Sequence, residues 1–134
     1  CTNLTTVNLA ASTQLTTIQA NAFYGCSSLT TLTLPNSVNS LGAQFINGTD
    51  ITSLNLQSNM NLRTIGASAF EGNTRLTSIT LPTNVSRIDN NAFKNTKLTS
   101  ITLPASVRTI GNGAFSNMTS LSTVTFPSSG RISI

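Results

Sequence analysis

The chain has 134 residues, of which only 7% are charged, and its formal net charge is +4. It contains one Tyr, no Trp and no His, so it lacks the basic, aromatic-rich surface typical of nucleic-acid binding and the commonest general base and metal ligand of enzymes. No apolar run approaches the roughly 18 residues of a membrane span. We therefore expect no nucleic acid, metal or cofactor as a ligand, and no membrane-spanning segment in this stretch of chain.

A short sequence pattern, first seen as Leu4-Thr-Thr-Val7-Asn-Leu9, occurs six times along the chain. Its copies step by 25, 22, 25, 22 and 23 residues (4→29→51→76→98→121). Self-similarity at such a period predicts a solenoid, in which each coil buries its apolar face against its neighbours. We expect one solenoid fragment of a longer protein over 1–134, with about 5.5 repeats of 22–25 residues. The coils start near Leu4, Leu29, Ile51, Leu76, Leu98 and Leu121.

The coil over 76–97 shows the regular pattern. Ile79 and Leu81 alternate with polar residues, which predicts a strand with one buried face. Pro82 then ends the strand because it has no N–H to continue a ladder. A second extended piece follows over 85–88. The coils that begin at Leu4 and Ile51 lack this Pro and are longer at the same corner, so an outward bulge is expected there.

The pair Ala92-Phe93 recurs near the end of the regular coils. Asp89, just before it, has the position of an N-cap, so we expect one short helical turn that places the Phe in the core. The second coil departs from the pattern, and either Phe45 or Ile46 fills its Phe position. After Pro127 the pattern also fails, and an unfinished last coil is expected.

The combined pattern is L-x-x-I-x-L-P-x-x-V-x-x-I-G-x-x-A-F-x-x-C-x-x-L, carried by 76–93, 98–115 and 23–29. It resembles the BspA-like (treponemal-type) class of leucine-rich repeats. The resemblance implies an α/β fold: a curved right-handed solenoid of short parallel strands and short helical turns. It also implies a cell-surface or secreted protein, similar to adhesins that bind host extracellular proteins such as fibronectin or fibrinogen. We expect the fragment to be a monomer. The Cys position of the pattern differs in later coils, which carry Asn73, Thr96 and Met118 there.

Three carboxylates are present, Asp50, Glu71 and Asp89, and they fall in three different coils. A glycosidase-type pair needs two carboxyl groups within about 5–10 Å of each other. The sequence gives no such pair and no ligand cluster for a metal, so we predict that the protein is not an enzyme.

Cys1 and Cys26 occupy equivalent positions in successive coils. Equivalent positions of stacked strands lie about 4.8 Å apart, within the roughly 4.4–6.8 Å between Cα atoms that a disulfide tolerates. We favour two free cysteines packed in the wall of the core, the usual place of an unpaired Cys. The alternative is a disulfide, which would indicate an oxidising compartment.

The outward face of the six-strand ladder is the predicted ligand-binding surface. Its uncharged, hydroxyl-lined residues would contact a host protein or a glycan, since solenoids use extended surfaces of this kind for binding. We call this surface the strand face. Its residues are Thr6, Asn8, Thr31, Thr33, Ser53, Asn55, Ser78, Thr80, Ser100, Thr102, Thr123 and Thr125.

Three other interpretations compete for the same residues. Thr is favoured in strands and cross-strand Thr pairs stabilise a sheet, so the rows can be purely structural. The solenoid can also be a passive stalk that presents another domain. Finally, a Thr grid resembles the ice-contacting face of some β-solenoid antifreeze proteins, although the Ser and Asn in the rows and the expected curvature weigh against this.

Overall fold

The computed structural model describes residues 1–126. The predictions for Pro127 and for an unfinished last coil lie outside these residues. Within them the chain forms short parallel strands joined by turns, and about five turns of a solenoid are complete.

One set of strands has three residues in each coil and lies under the strand face. These strands are β1 (Thr6–Asn8), β3 (Thr31–Thr33), β5 (Ser53–Asn55), β7 (Ser78–Thr80), β9 (Ser100–Thr102) and β11 (Thr123–Thr125). A second set has two residues in each coil and follows the corner. These are β2 (Thr17–Ile18), β4 (Ser40–Leu41), β6 (Thr64–Ile65), β8 (Arg87–Ile88) and β10 (Thr109–Ile110).

The first set does not form the single ladder that we expected. Its strands pair two by two, β1 with β3, β5 with β7 and β9 with β11, all parallel. The ladder is therefore interrupted between β3 and β5 and again between β7 and β9. Both interruptions coincide with the 22-residue steps of the repeat, whereas the paired strands are separated by the longer steps. The second set pairs as β2–β4 and as β6–β8–β10.

The core is a column of apolar side chains that each coil shares with its neighbours. In β3, β5, β7 and β9 the central residue is buried and the two flanking residues are exposed, as period-two alternation requires. The ring of Phe93 stacks between Phe70, with a centroid distance of 5.3 Å, and Phe115, at 5.8 Å. Phe45 and Ile46 are both fully buried, so the irregular second coil fills its core with two large residues.

The predicted helical turns are wrong, because no helix occurs in residues 1–126. The segment around Phe93 is a series of tight turns. Some of its N–H groups bond three residues back, as Lys94 does to Asn91, and those between them bond to the next coil, as Phe93 does to Ala114. Asn91 and Asn95 have φ values of 59° and 61°, in the left-handed region that interrupts a right-handed helix. The Asp89 carboxylate does not cap a helix; it pairs with Arg87. The fold is thus a β-solenoid and not α/β.

Candidate binding surface

The structure places all twelve predicted residues on one exposed face of the solenoid. Parallel register sets Thr6 beside Thr31, Ser53 beside Ser78 and Ser100 beside Thr123. The interruptions of the ladder separate these pairs from one another, so the strand face consists of three paired blocks.

The ten hydroxyl groups of the strand face have no hydrogen-bond partner within residues 1–126. The two Asn residues differ, since Asn8 Oδ1 accepts from the Ala10 N–H at 3.0 Å and Asn55 Oδ1 accepts from the Gln57 N–H at 2.9 Å. Each hydroxyl can donate one hydrogen bond and accept two. The face therefore presents an uncharged array of groups that are free to bond to a ligand.

Three other Ser and Thr residues, just before β3, β7 and β11, have a structural role that the sequence did not reveal. Thr30 Oγ1 donates to the Thr5 carbonyl at 3.2 Å, and Thr77 Oγ1 donates to the Thr52 carbonyl at 3.1 Å. Ser122 Oγ donates to the Thr99 carbonyl at 3.1 Å. These bonds join successive coils, so the hydroxyls that hold the solenoid together are distinct from those on the strand face.

Each of the three carboxylates pairs with a cation, and none of these residues belongs to the strand face. Asp50 lies 2.6 Å from Arg75, Glu71 lies 3.5 Å from Lys94, and Asp89 contacts Arg87. Each carboxylate thus has a cationic neighbour and none has a second carboxylate beside it. In the part of the chain that the structure describes, no group of three or more His, Cys, Asp or Glu side chains could hold a metal ion.

Cys1 and Cys26 are joined by a disulfide, with their Cα atoms 4.8 Å apart. This differs from the pair of free thiols that we favoured from the sequence. The bond links the first coil to the second, and Cys26 is almost fully buried.

The junction between the second and third coils differs from the others. Neither set of strands is paired across it, since β3 and β5 are separate and so are β4 and β6. In the first pair of strands the Leu9 N–H bonds to the Thr33 carbonyl at 2.8 Å. The equivalent Leu34 N–H and Asn55 carbonyl are not bonded to each other in the described residues.

Side-chain amides replace part of the missing backbone ladder at this junction. Asn59 Nδ2 donates to the Pro35 carbonyl at 2.9 Å, and Asn61 Nδ2 donates to the Asn36 carbonyl at 2.8 Å. On the Phe side, Asn73 Nδ2 donates to the Ile46 carbonyl at 2.8 Å. Asn59 lies in the predicted outward bulge, yet it is only 4% exposed, so this corner turns one amide inward.

A cleft opens in the strand face where β3 and β5 separate. Its volume is about 430 Å³, and we call it the β3–β5 cleft. Leu32, Leu34 and Leu54 line it together with hydroxyl and amide side chains from both strands and from the corner after β5. A smaller cleft of about 230 Å³ lies at the second interruption, beside Thr80 and Thr102. Sequence reasoning missed both clefts, although the two 22-residue steps marked their positions.

The repeat matches a family profile described as the BspA type leucine rich repeat region, in six copies over residues 1–122. The chain belongs to this family. This confirms the resemblance inferred from the repeat pattern. No curated protein matches the chain.

Two solved structures are similar to this BspA-type chain. A leucine-rich repeat protein from Bacteroides ovatus ATCC 8483 is 32% identical with a TM-score of 0.75, over 84% of this chain and 29% of that one. A leucine rich cell surface protein from Faecalibacterium prausnitzii A2-165 is 22% identical with a TM-score of 0.58, over 92% of this chain and 43% of that one. The chain therefore spans less than half the length of either neighbour.

No helix of residues 1–126 is long and apolar enough to cross a membrane.

Proposed function

We propose that this BspA-type solenoid, acting as one module over 1–134, is a non-catalytic binding module of the cell surface or of a secreted protein. It recognises a macromolecule through the strand face, either a host extracellular protein of the fibronectin or fibrinogen kind or a glycan. The observation that carries this proposal is the array of ten hydroxyls without a hydrogen-bond partner in residues 1–126, on one exposed face. Each of these hydroxyls can donate to a ligand and accept from it without breaking a bond within the described residues.

Two further features support a location outside the cytoplasm. The neighbour from Faecalibacterium prausnitzii is described as a cell surface protein. The Cys1–Cys26 disulfide is the kind of bond that persists in oxidising environments and is rare in the cytosol.

The absence of a catalytic role rests on the chemistry of the described residues. Each of the three carboxylates faces a cation, and the chain has no His. A hydroxyl nucleophile such as those of the strand face needs an adjacent general base, and none lies among the strand-face residues.

A passive stalk is the second candidate. It is favoured by the absence of Trp and Arg from the strand face, since these residues dominate the binding energy of many protein interfaces. An ice-binding role is the weaker alternative, because the interruptions at β3–β5 and β7–β9 break the regular Thr grid.

Solid-phase binding to fibronectin, fibrinogen, mucin and immobilised host glycans tests the proposal. The parent chain is compared with a variant carrying Thr33→Arg, Thr80→Arg and Thr102→Arg, with folding checked by circular dichroism. Binding that the folded variant loses supports the strand face as the site. Equal binding by both proteins places the site elsewhere, and the absence of binding to every probe favours the stalk.

A further inference from the structure

We propose that the β3–β5 cleft is a binding site for a neutral oligosaccharide. This inference rests on the proposed binding function and gives that function a position and a ligand class. It starts from the interrupted ladder, which leaves a recess in a face that would otherwise be a continuous sheet. The cleft, of about 430 Å³, is much larger than the roughly 30 Å³ that one water molecule takes up in the liquid, so it can admit part of a polar ligand.

The lining of the cleft suits a ligand that is rich in hydroxyl groups. Thr31 and Thr33 contribute hydroxyls from one wall and Ser53 and Ser58 from the other, and none of the four has a hydrogen-bond partner in residues 1–126. A hydroxyl both donates and accepts, so it can pair with a sugar hydroxyl in either direction. The Asn55 amide is oriented by its bond to the Gln57 N–H, which leaves its Nδ2 group available as a donor.

The backbone adds fixed groups to this lining. The Leu34 N–H and the Asn55 carbonyl would bond to each other in a continuous ladder, as Leu9 and Thr33 do at 2.8 Å. Across the cleft both groups are without that partner in the described residues. An unpaired backbone group favours a ligand or water that satisfies it, and a sugar hydroxyl placed between them can accept from one and donate to the other.

The chemistry of the lining also selects the charge of the ligand. No residue that lines the cleft is ionisable. A carboxylated or sulfated glycan would lose hydration there without gaining a cationic partner, which is unfavourable. We therefore expect a neutral glycan, whose binding depends little on salt because no ion pair is formed.

A peptide fits the cleft less well. Peptide and protein partners usually insert Trp, Tyr or Arg side chains into well-packed pockets, or are bound by such residues. The cleft contains no aromatic side chain and no Arg, and its apolar floor is limited to Leu32, Leu34 and Leu54.

The second cleft, beside Thr80 and Thr102, lies two coils away, at least about 10 Å along the solenoid. A linear glycan that crosses the strand face could reach both.

The test titrates the whole chain with soluble neutral hexasaccharides of glucose, mannose and N-acetylglucosamine, with heparin and fibronectin as separate probes. Two matched variants are compared, Ser53→Arg in the cleft and Ser40→Arg at an exposed position of the second strand set, away from the strand face. We expect Ser53→Arg to weaken binding of a neutral hexasaccharide about tenfold or more, equivalent to roughly 1.4 kcal/mol. We expect Ser40→Arg to change it by no more than about twofold.

Nuclear magnetic resonance provides a second readout that a folding defect cannot imitate. In the parent chain the amide signals of Leu34 and Ser53 should shift on titration, while that of Ser40 should not. Equal weakening by both Arg variants, or shifts confined to other coils, would overturn the cleft as the site.

The other probes separate this inference from the proposed function. Fibronectin binding through the strand face, without binding of any neutral glycan, would overturn the glycan assignment and leave the proposed function in place. Heparin binding that salt abolishes, without neutral glycan binding, would overturn the neutral ligand class. Failure of every probe would overturn both proposals.

Discussion

Phe93 illustrates how single residues hold this solenoid together. Its side chain is fully buried and its ring stacks between those of Phe70 and Phe115 in the neighbouring coils. Since no coil can bury its apolar face alone, this residue stabilises three coils at once.

Replacing Phe93 with Ala should lower the free energy of unfolding by about 3–5 kcal/mol, because it leaves a cavity between coils. Chemical denaturation followed by circular dichroism measures the change. Tyr24→Ala is the control, since Tyr24 is 57% exposed, and it should cost no more than about 0.5 kcal/mol. A loss of less than about 1 kcal/mol for Phe93→Ala would contradict this account of the core.

The Cys1–Cys26 disulfide makes a second prediction at the residue scale. It closes a separation of 25 residues, so its removal should destabilise the protein by about 2–4 kcal/mol. The double variant Cys1→Ser with Cys26→Ser is compared with the parent by denaturation without reductant. The intact mass of the parent should also be lower by two hydrogen atoms than that of its reduced form. Full alkylation of the folded, unreduced parent by iodoacetamide would show that the bond is absent.

The strands and their pairing show how far the sequence predicts the elements. Period-two alternation correctly identified the strands in each coil and their buried residues, such as Ile79 and Leu81. The prediction of helical turns was wrong, because the sequence pattern reports which side chains are buried and not the φ values of the backbone at Asn91 and Asn95. Nor does it report hydrogen bonding between coils, so the interruption between β3 and β5 was missed.

This interruption predicts uneven protection of backbone amides. The Leu56 N–H bonds to the Thr80 carbonyl at 2.9 Å, whereas the equivalent Leu34 N–H has no backbone partner in the described residues. Amide exchange reports local opening, so Leu34 should exchange its proton much faster than Leu56. Hydrogen–deuterium exchange measured by nuclear magnetic resonance checks this, with Leu103, bonded to Thr125 at 2.9 Å, as a second protected reference. Equal protection of Leu34 and Leu56 would mean that the ladder is continuous.

At the scale of the whole molecule, the repeat predicted the family and the solenoid because every coil carries the same apolar positions. The candidate site was only partly predictable. The rows of the strand face follow from alternation, but the division into blocks and the clefts depends on how corners such as the one at Asn59 fold inward to bond the preceding coil. That contact joins residues of two coils, and nothing in either coil alone specifies it.

The central claim is that the strand face, and not another side of the solenoid, binds the partner. Two folded triple variants that add equal charge test it most directly. One carries Thr33→Arg, Thr80→Arg and Thr102→Arg on the strand face; the other carries Thr17→Arg, Ser40→Arg and Thr109→Arg on the exposed side of the second strand set. The measurement is the affinity of each for the probe that the parent chain binds.

We expect the strand-face variant to lose about a hundredfold or more in affinity, equivalent to roughly 2.8 kcal/mol. The second variant should remain within about twofold of the parent. Loss of binding by the second variant, with the strand-face variant unaffected, would contradict the account.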